Sequence, residues 1–414
     1  MIEKPIDIAT EKATKEDDNL PPIAFMTDAP PLVQGGYGCH VLSYNLISVL
    51  KPAVSAVITR RMQKEITCKK VKDGVGISTF FYPDLSAIPS KKIIAGIKSV
   101  VETTLACLWS KRICKKISES GAKRIFACCG ADPYFLLVID SFRKNSNLPI
   151  DVYLVDDFAS SAILNGYPEL AEKIFRWERQ VLTKVDRVFT ISKGFAEHLK
   201  EKHNINCRWL PIPILVPDNK LRYHKPTSFK DGVKTITYFG AVNPLYSGGI
   251  KTLLKEISSF NSQNSTNKFR LLIMTYTEPA VVIRELGEQV DYEILHKAEI
   301  NQCRKIMMES AAIFLPYTFE NPHQVMVATS FPSRFAETLP IGRPLLVYGP
   351  SYASLPRHFK ENNLQICVTE ESGLGRALKT IEQFDNPNTI EAYEQNLIRY
   401  HSPQSIKNIL KLKQ

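Results

Sequence analysis

Short apolar runs and stretches with apolar residues every three or four positions alternate along most of the chain. Residues 22–27 form a compact apolar run and predict a first buried strand. A loop from Asp28 to Gly38 follows, closed by Gly35-Gly36-Tyr37-Gly38. Val41, Leu42, Leu46, Ile47 and Leu50 then share one helical face, which ends before Pro52. Residues 53–59, 124–129, 152–155 and 187–191 read as strands, and 132–142, 170–182 and 194–202 as helices. Between 211 and 232 the prolines 211, 213, 217 and 226 break the pattern. It resumes with strands at 235–239, 269–274 and 313–316 and helices at 250–258 and 301–310. The last stretch, 385–413, is largely helical.

Alternating strands and helices predict parallel α/β sheets. Two similar-sized halves joined by a proline-rich stretch predict two doubly wound, Rossmann-like domains facing a cleft, with ligands at the carboxyl ends of the strands. The expected organisation is a flexible tail (1–20), an N-terminal domain (21–210), a hinge (211–232), a C-terminal domain (233–385), and terminal helices (386–414) packing back on the N-terminal domain.

The segment 329–350 offers the most local chemistry. Ser330 can supply an N-cap hydroxyl, Pro332 suits a first helical turn, and Pro340 and Gly342 stop the helix before an apolar strand at 345–348. A helix start leaves free N–H groups and partial positive charge, and Arg334 lies beside it, so an anion can dock there. Ser333 and Glu337 are four apart, which places a carboxylate about one turn (~6 Å) behind the anion site. A diphosphate at the turn and a ribose on the carboxylate fit this layout; an ordinary capped helix before a strand fits it too.

Composition narrows the class. The 414 residues, 44% hydrophobic and 23% charged, suit a globular protein of two or three domains. No run of 18 apolar residues predicts a membrane-spanning helix. The nine scattered cysteines form no CxxC pair, which suits a reducing, cytoplasmic compartment and argues against a metal site. A net charge of +11 favours polyanionic partners. Nine basic residues lie in 91–124 against Glu102 and Glu119, while Ile94, Ile97, Val101, Leu105 and Leu108 repeat in steps of three and four beside Trp109. This basic amphipathic helix either turns its apolar face to a sheet or lies on an anionic membrane, at the inner face. A nucleic-acid partner is not expected, because no recognition module or aromatic-basic stacking motif is present.

With these residues in view, the chain resembles the GT-B glycosyltransferases of the large group related to the retaining family-four enzymes, over roughly residues 22–385. Gly35 to Val41 resembles the family's N-terminal glycine-rich loop. Val188 to Ala196, continuing through Leu210 to Pro213, resembles its strand, serine turn and helix before the hinge. Ser330 to Pro344 resembles its donor-binding helix, with Glu337, Gly342 and Pro344 in register. The resemblance implies that Glu337 holds the ribose hydroxyls, that Ser330, Pro332, Ser333 and Arg334 meet the donor phosphates, that Gly36 and Gly38 close over phosphate and sugar, and that Gly240 approaches the donor. Thr329 stands where the family has the first of two glutamates. The Arg and Lys expected after Gly240 are absent, which makes Arg334 the candidate to neutralise the leaving diphosphate. Asp156-Asp157 resembles the strand end near the reacting sugar; adjacent residues point opposite ways, so one carboxylate faces the cleft, unless one or both cap the next turn. His40 packs at a helix start.

The implied activity is metal-independent transfer of a glycosyl group from a nucleotide-diphosphate sugar to a hydroxyl on a carbohydrate or lipid-linked acceptor, with no cofactor and with retention, in glycan or envelope polysaccharide assembly. A non-catalytic nucleotide-sugar-binding relative or partner subunit would explain the missing Arg and Lys. A nucleotide-sugar epimerase would share the architecture, but its acid–base residues are not recognisable.

Overall fold

The computed structural model describes residues 20–32, 38–60, 79–82, 92–130, 132–216, 221, 232–264, 268–287, 292–382 and 387–411. Two parallel sheets organise them. The first contains β1 (Ile23–Thr27), β2 (Val54–Arg60), β3 (Thr79–Tyr82), β4 (Arg124–Cys129), β5 (Ile150–Leu154), β6 (Arg187–Thr190) and β7 (Arg208–Trp209), in the order β3-β2-β1-β4-β5-β6-β7. The second contains β8 (Val233–Phe239), β9 (Lys268–Thr275), β10 (Tyr292–His296), β11 (Ala312–Pro316), β12 (Leu345–Tyr348) and β13 (Cys367–Val368), in the order β10-β9-β8-β11-β12-β13. This is the doubly wound α/β architecture that the alternation predicted.

Central strands covered by helices on both faces lose the polar alternation of a half-exposed strand. Each residue of β1, Ile-Ala-Phe-Met-Thr, is accordingly buried. Phe25 of β1 stacks on Phe126 of β4 at 5.6 Å, and the helix Gly38–Leu50 adds Leu42, Leu46, Ile47 and Leu50 to the core. A buried charge in β5 is neutralised across the sheet: Asp151 accepts from Arg124 at 2.5 Å and from Arg187 at 2.6 Å. The chain order reverses between β1 and β4 and again between β8 and β11. Such switch points open a crevice at the carboxyl ends of the strands. Asp28 and Gly130 follow the first pair, and Gly240 and Tyr317 the second.

The helix Pro403–Lys411 returns to the first sheet, where Arg187 donates to the Leu410 carbonyl at 2.7 Å and Ile406 and Leu410 are buried. A seam joins the two halves. Ser192 donates to the Thr329 carbonyl at 2.6 Å, and a side chain at Gly194 would overlap the Ala328 carbonyl. Arg357 pairs with Glu197 at 2.5 Å, and Lys193 with Glu361 at 2.6 Å.

Two features add to the sequence reading. Among the residues of the helix Lys92–Glu119 whose burial is described, Ser110, Ile113, Cys114 and Ile117 are buried, whereas Val101 and Leu108 of the apolar stripe are exposed. The stripe therefore does not meet the sheet at those positions. A helix, Gln324–Thr329, also precedes the turn where a helix start was expected. At six residues it is too short for periodicity to reveal.

Candidate functional site

That extra helix changes the role of Ser330. Its N–H donates to the Met326 carbonyl at 2.9 Å, so Ser330 closes the helix Gln324–Thr329 and does not cap the next one. The following helix, Arg334–Thr338, begins behind Ser333, which makes no side-chain cap. Pro332 lies before its first turn and accepts from the Phe335 N–H at 2.9 Å. The Ser330 hydroxyl is buried without a hydrogen-bond partner among the described residues. Five residues sum to a small dipole, so positive potential here must come mainly from a side chain.

Arg334 supplies it. The residue is 8% exposed, with its guanidinium 3.8 Å from the ring centre of Tyr246 and 5.0 Å from that of Tyr238. One N–H reaches the Phe239 carbonyl at 3.5 Å, the outer limit of a hydrogen bond. No carboxylate forms an ion pair with Arg334 among the described residues. Gly240, at φ +142°, leaves room for the guanidinium: a Cβ there would stand 2.9 Å from its Nη1. The missing side chain at 240 and the buried cation are thus one arrangement.

The first half closes on the same turn. A Cβ at Gly38 would overlap the Ser333 hydroxyl, so only glycine permits this approach. Gly36 lies outside the described residues. Glu337 is half-buried; burial raises its carboxyl pKa, while Arg334 and Arg304 pull it back. Thr329, at the family's first glutamate position, is buried and bonds the Val325 carbonyl at 2.9 Å.

The two aspartates separate. Asp157 is buried against the helix Lys193–His203, paired with His198 at 3.1 Å and Lys202 at 3.2 Å, and accepts from Ser160 at 2.6 Å. Burial alone would raise its carboxyl, but those partners hold it well below the usual range. Asp156 is half-buried and pushed up to about 6, by burial first and then by Asp28 and Asp157. The Tyr317 phenol, raised mainly by burial, also senses Tyr246, Arg334 and Asp156. Asp156 of one half and Arg334 of the other therefore share a neighbourhood. His40 packs, its Nδ1 against the Pro30 carbonyl at 2.7 Å.

Sequence reasoning missed Asp28, Tyr238, Tyr246 and Tyr317. Asp28 follows β1 at the switch point and accepts from the Gly130 and Asp132 N–H groups at 3.0 and 2.7 Å. Tyrosines on either side of Gly240 were the available signal for a stacked guanidinium. Among the described residues no group of three or more His, Cys, Asp or Glu is arranged to hold a metal.

No family model and no curated protein matches the chain. Solved structures do. The sucrose-phosphate synthase of Thermosynechococcus elongatus is 12% identical, with 94% of this chain and 97% of that one covered at a TM-score of 0.60. The α,α-trehalose-phosphate synthase (UDP-forming) of Burkholderia xenovorans, in complex with glucose-6-phosphate, is 8% identical over 94% and 98% at 0.60. A UDP-N-acetylglucosamine 2-epimerase is 12% identical over 94% of each chain at 0.52. Together with the two sheets, these likenesses establish the GT-B fold.

Proposed function

We propose that the protein is a glycosyltransferase that takes a nucleotide-diphosphate sugar as donor and a hydroxyl group as acceptor. The observation that carries this reading is the buried Arg334 guanidinium, stacked between two tyrosines at a switch-point edge and lacking a carboxylate partner among the described residues. A cation kept in that state favours an anion arriving from outside the protein. The activities named for the synthase neighbours, one of them UDP-forming, support a sugar nucleotide as that anion.

In this reading the donor diphosphate rests between Arg334 and the turn 330–333, Gly38 closes over it, and Glu337 accepts from the ribose hydroxyls. Negative charge grows on the diphosphate as the glycosidic bond breaks. A preorganised guanidinium in a dry site meets that charge at no further reorganisation cost, so transfer proceeds without a metal. Asp156, ionised above about pH 6, faces the sugar side, where it orients the acceptor or offsets positive character at the anomeric carbon. Asp157 positions the helix Lys193–His203 and has no part in the chemistry. Retention of configuration and a role in glycan or envelope polysaccharide assembly complete the proposal.

The test is a thermal-shift screen across nucleotide sugars, followed by turnover with carbohydrate and lipid-linked acceptors. The expected result is a raised melting temperature with one donor, loss of that rise in Glu337→Ala, and product formation. Donor binding without turnover would favour a binding subunit; epimer formation without acceptor would favour an epimerase. No response to any sugar nucleotide would end the proposal.

A further inference from the structure

The helix Lys92–Glu119 hides one face and displays another, and the displayed face carries the apolar spacing. Ser110, Ile113 and Ile117 are buried. At about 100° per residue, Val101, Leu105 and Leu108 lie roughly opposite them. Leu108 is 62% exposed and Val101 39%. Lys111, Arg112 and Lys115 continue this outer face as exposed cations, and none of the three forms an ion pair among the described residues.

Length adds a second observation. The helix has 28 residues and is ~42 Å long, whereas the adjoining six-residue β4 spans only ~20 Å. Its C-terminal end is tied to the amino edge of the sheet, where the Lys123 N–H donates to the Pro22 carbonyl at 2.7 Å and the Ser120 and Ser55 hydroxyls are 3.2 Å apart. The opposite end therefore overhangs the carboxyl edge, which is the cleft edge. Val101 lies ~27 Å along the axis from Glu119, beyond the end of the strand, and Leu108 ~16 Å along it, just short of that end.

We infer that this outer face docks the protein on an anionic lipid surface. Val101, Leu105 and Leu108 enter the headgroup boundary, and Lys111, Arg112 and Lys115 meet lipid phosphates. Charge complementarity selects this occupant. A second copy of the chain would set the same cations against each other, and so few apolar side chains fall far short of the ~1,200 Å² that a stable protein interface needs. Docking by this face holds the mouth of the cleft at the membrane, where a lipid-linked hydroxyl can enter without leaving the bilayer. That consequence rests on the transferase reading; the docking does not.

Vesicle co-sedimentation tests it, without donor or acceptor, so its failure would leave the transferase proposal standing. Wild type should sediment with phosphatidylcholine vesicles containing about one third phosphatidylglycerol, weakly with pure phosphatidylcholine, and less at high salt. Leu108→Glu, at an exposed position, should lower partitioning about tenfold. Lys111→Gln and Arg112→Gln should each lower it about fivefold. Failure of wild type to bind anionic vesicles would overturn the inference, as would Leu108→Glu and the two glutamine variants all binding like wild type. Equal binding to both vesicle types, or a concentration-dependent dimer that Leu108→Glu dissociates, would overturn it as well.

Discussion

Replacing Arg334 with methionine separates two roles for the buried guanidinium, ligand for an anion or filler of the core. Moving a cation out of water costs on the order of 5 kcal/mol after relaxation. Stacking at 3.8 Å on Tyr246 and 5.0 Å on Tyr238 returns about 2 kcal/mol each when desolvated. The 3.5 Å contact with the Phe239 carbonyl adds little. Arg334 is then neutral or slightly destabilising in the empty protein, and methionine refills much of its volume. The ligand-free variant should melt within about 3 °C of wild type. With donor at a hundred times its Kd, wild type gains about 2.7 kcal/mol. Losing one desolvated charge interaction removes about 2–4 kcal/mol, hence most of that gain and about a hundredfold in kcat. Scanning fluorimetry with and without the nucleotide sugar, alongside initial rates, reads both effects. A variant that melts far lower when empty yet keeps its donor-induced rise would refute this account and make Arg334 structural.

Three further predictions follow from the same geometry. Asp156 has a folded pKa raised from 3.8 to about 6, so its protonated form is favoured on folding and stability falls as pH rises from about 4 to 6. Asp156→Asn should therefore raise the unfolding free energy at pH 7, read from urea denaturation, by about 1–3 kcal/mol, while erasing the limb near pH 6 in the kcat/KM profile; an unchanged limb would clear this carboxylate. His358 and His401 are buried neutral, with burial pushing them down to about 4 and about 3. The unfolded chain takes up those protons first, so stability present above pH 6.5 should be lost on acidification towards pH 4, at up to about 1.4 kcal/mol per pH unit for each histidine. Urea midpoints at pH 7 and pH 5 that coincide would contradict this. Gly38→Ala should hold the halves apart and lower kcat/KM about tenfold or more, and Ser333→Gly in the same chain should recover most of it. Kinetics of the double variant no better than Gly38→Ala would disprove the contact.

Continuous apolar runs made the central strands legible: β4 and β12 coincide with their predicted spans, and β1, β8 and β11 differ by a residue or two. The edges were not. β7 and β13 have two residues each, too short to leave a period. The helix Gln324–Thr329 was hidden for a related reason. Its existence depends on partners distant in sequence, Ser192 and Ser354 bonding the carbonyls at 329 and 328. Missing it turned a helix end at Ser330 into a supposed helix start. Arg334 and Glu337 could be picked out from their spacing, but the tyrosine stack around the guanidinium required β8 and the helix Pro244–Gln263 to be brought together. The stripe at 101–108 was visible; which way it faced was decided by Ser110, Ile113 and Ile117, a set that a hydropathy pattern scores poorly because it includes a serine.

The seam and the Gly38–Ser333 contact differ in what they would withstand. The seam combines a glycine against a carbonyl, one hydroxyl bond and the pairs Arg357–Glu197 and Lys193–Glu361; the other is one glycine against one hydroxyl. Pulled apart, the halves should yield first at the weaker point, with the seam serving as fulcrum. Its charge pairs are partly exposed and so screened by salt. Ionic strength would then loosen the pivot without touching the grip, altering how widely the jaws gape and leaving what they hold unchanged.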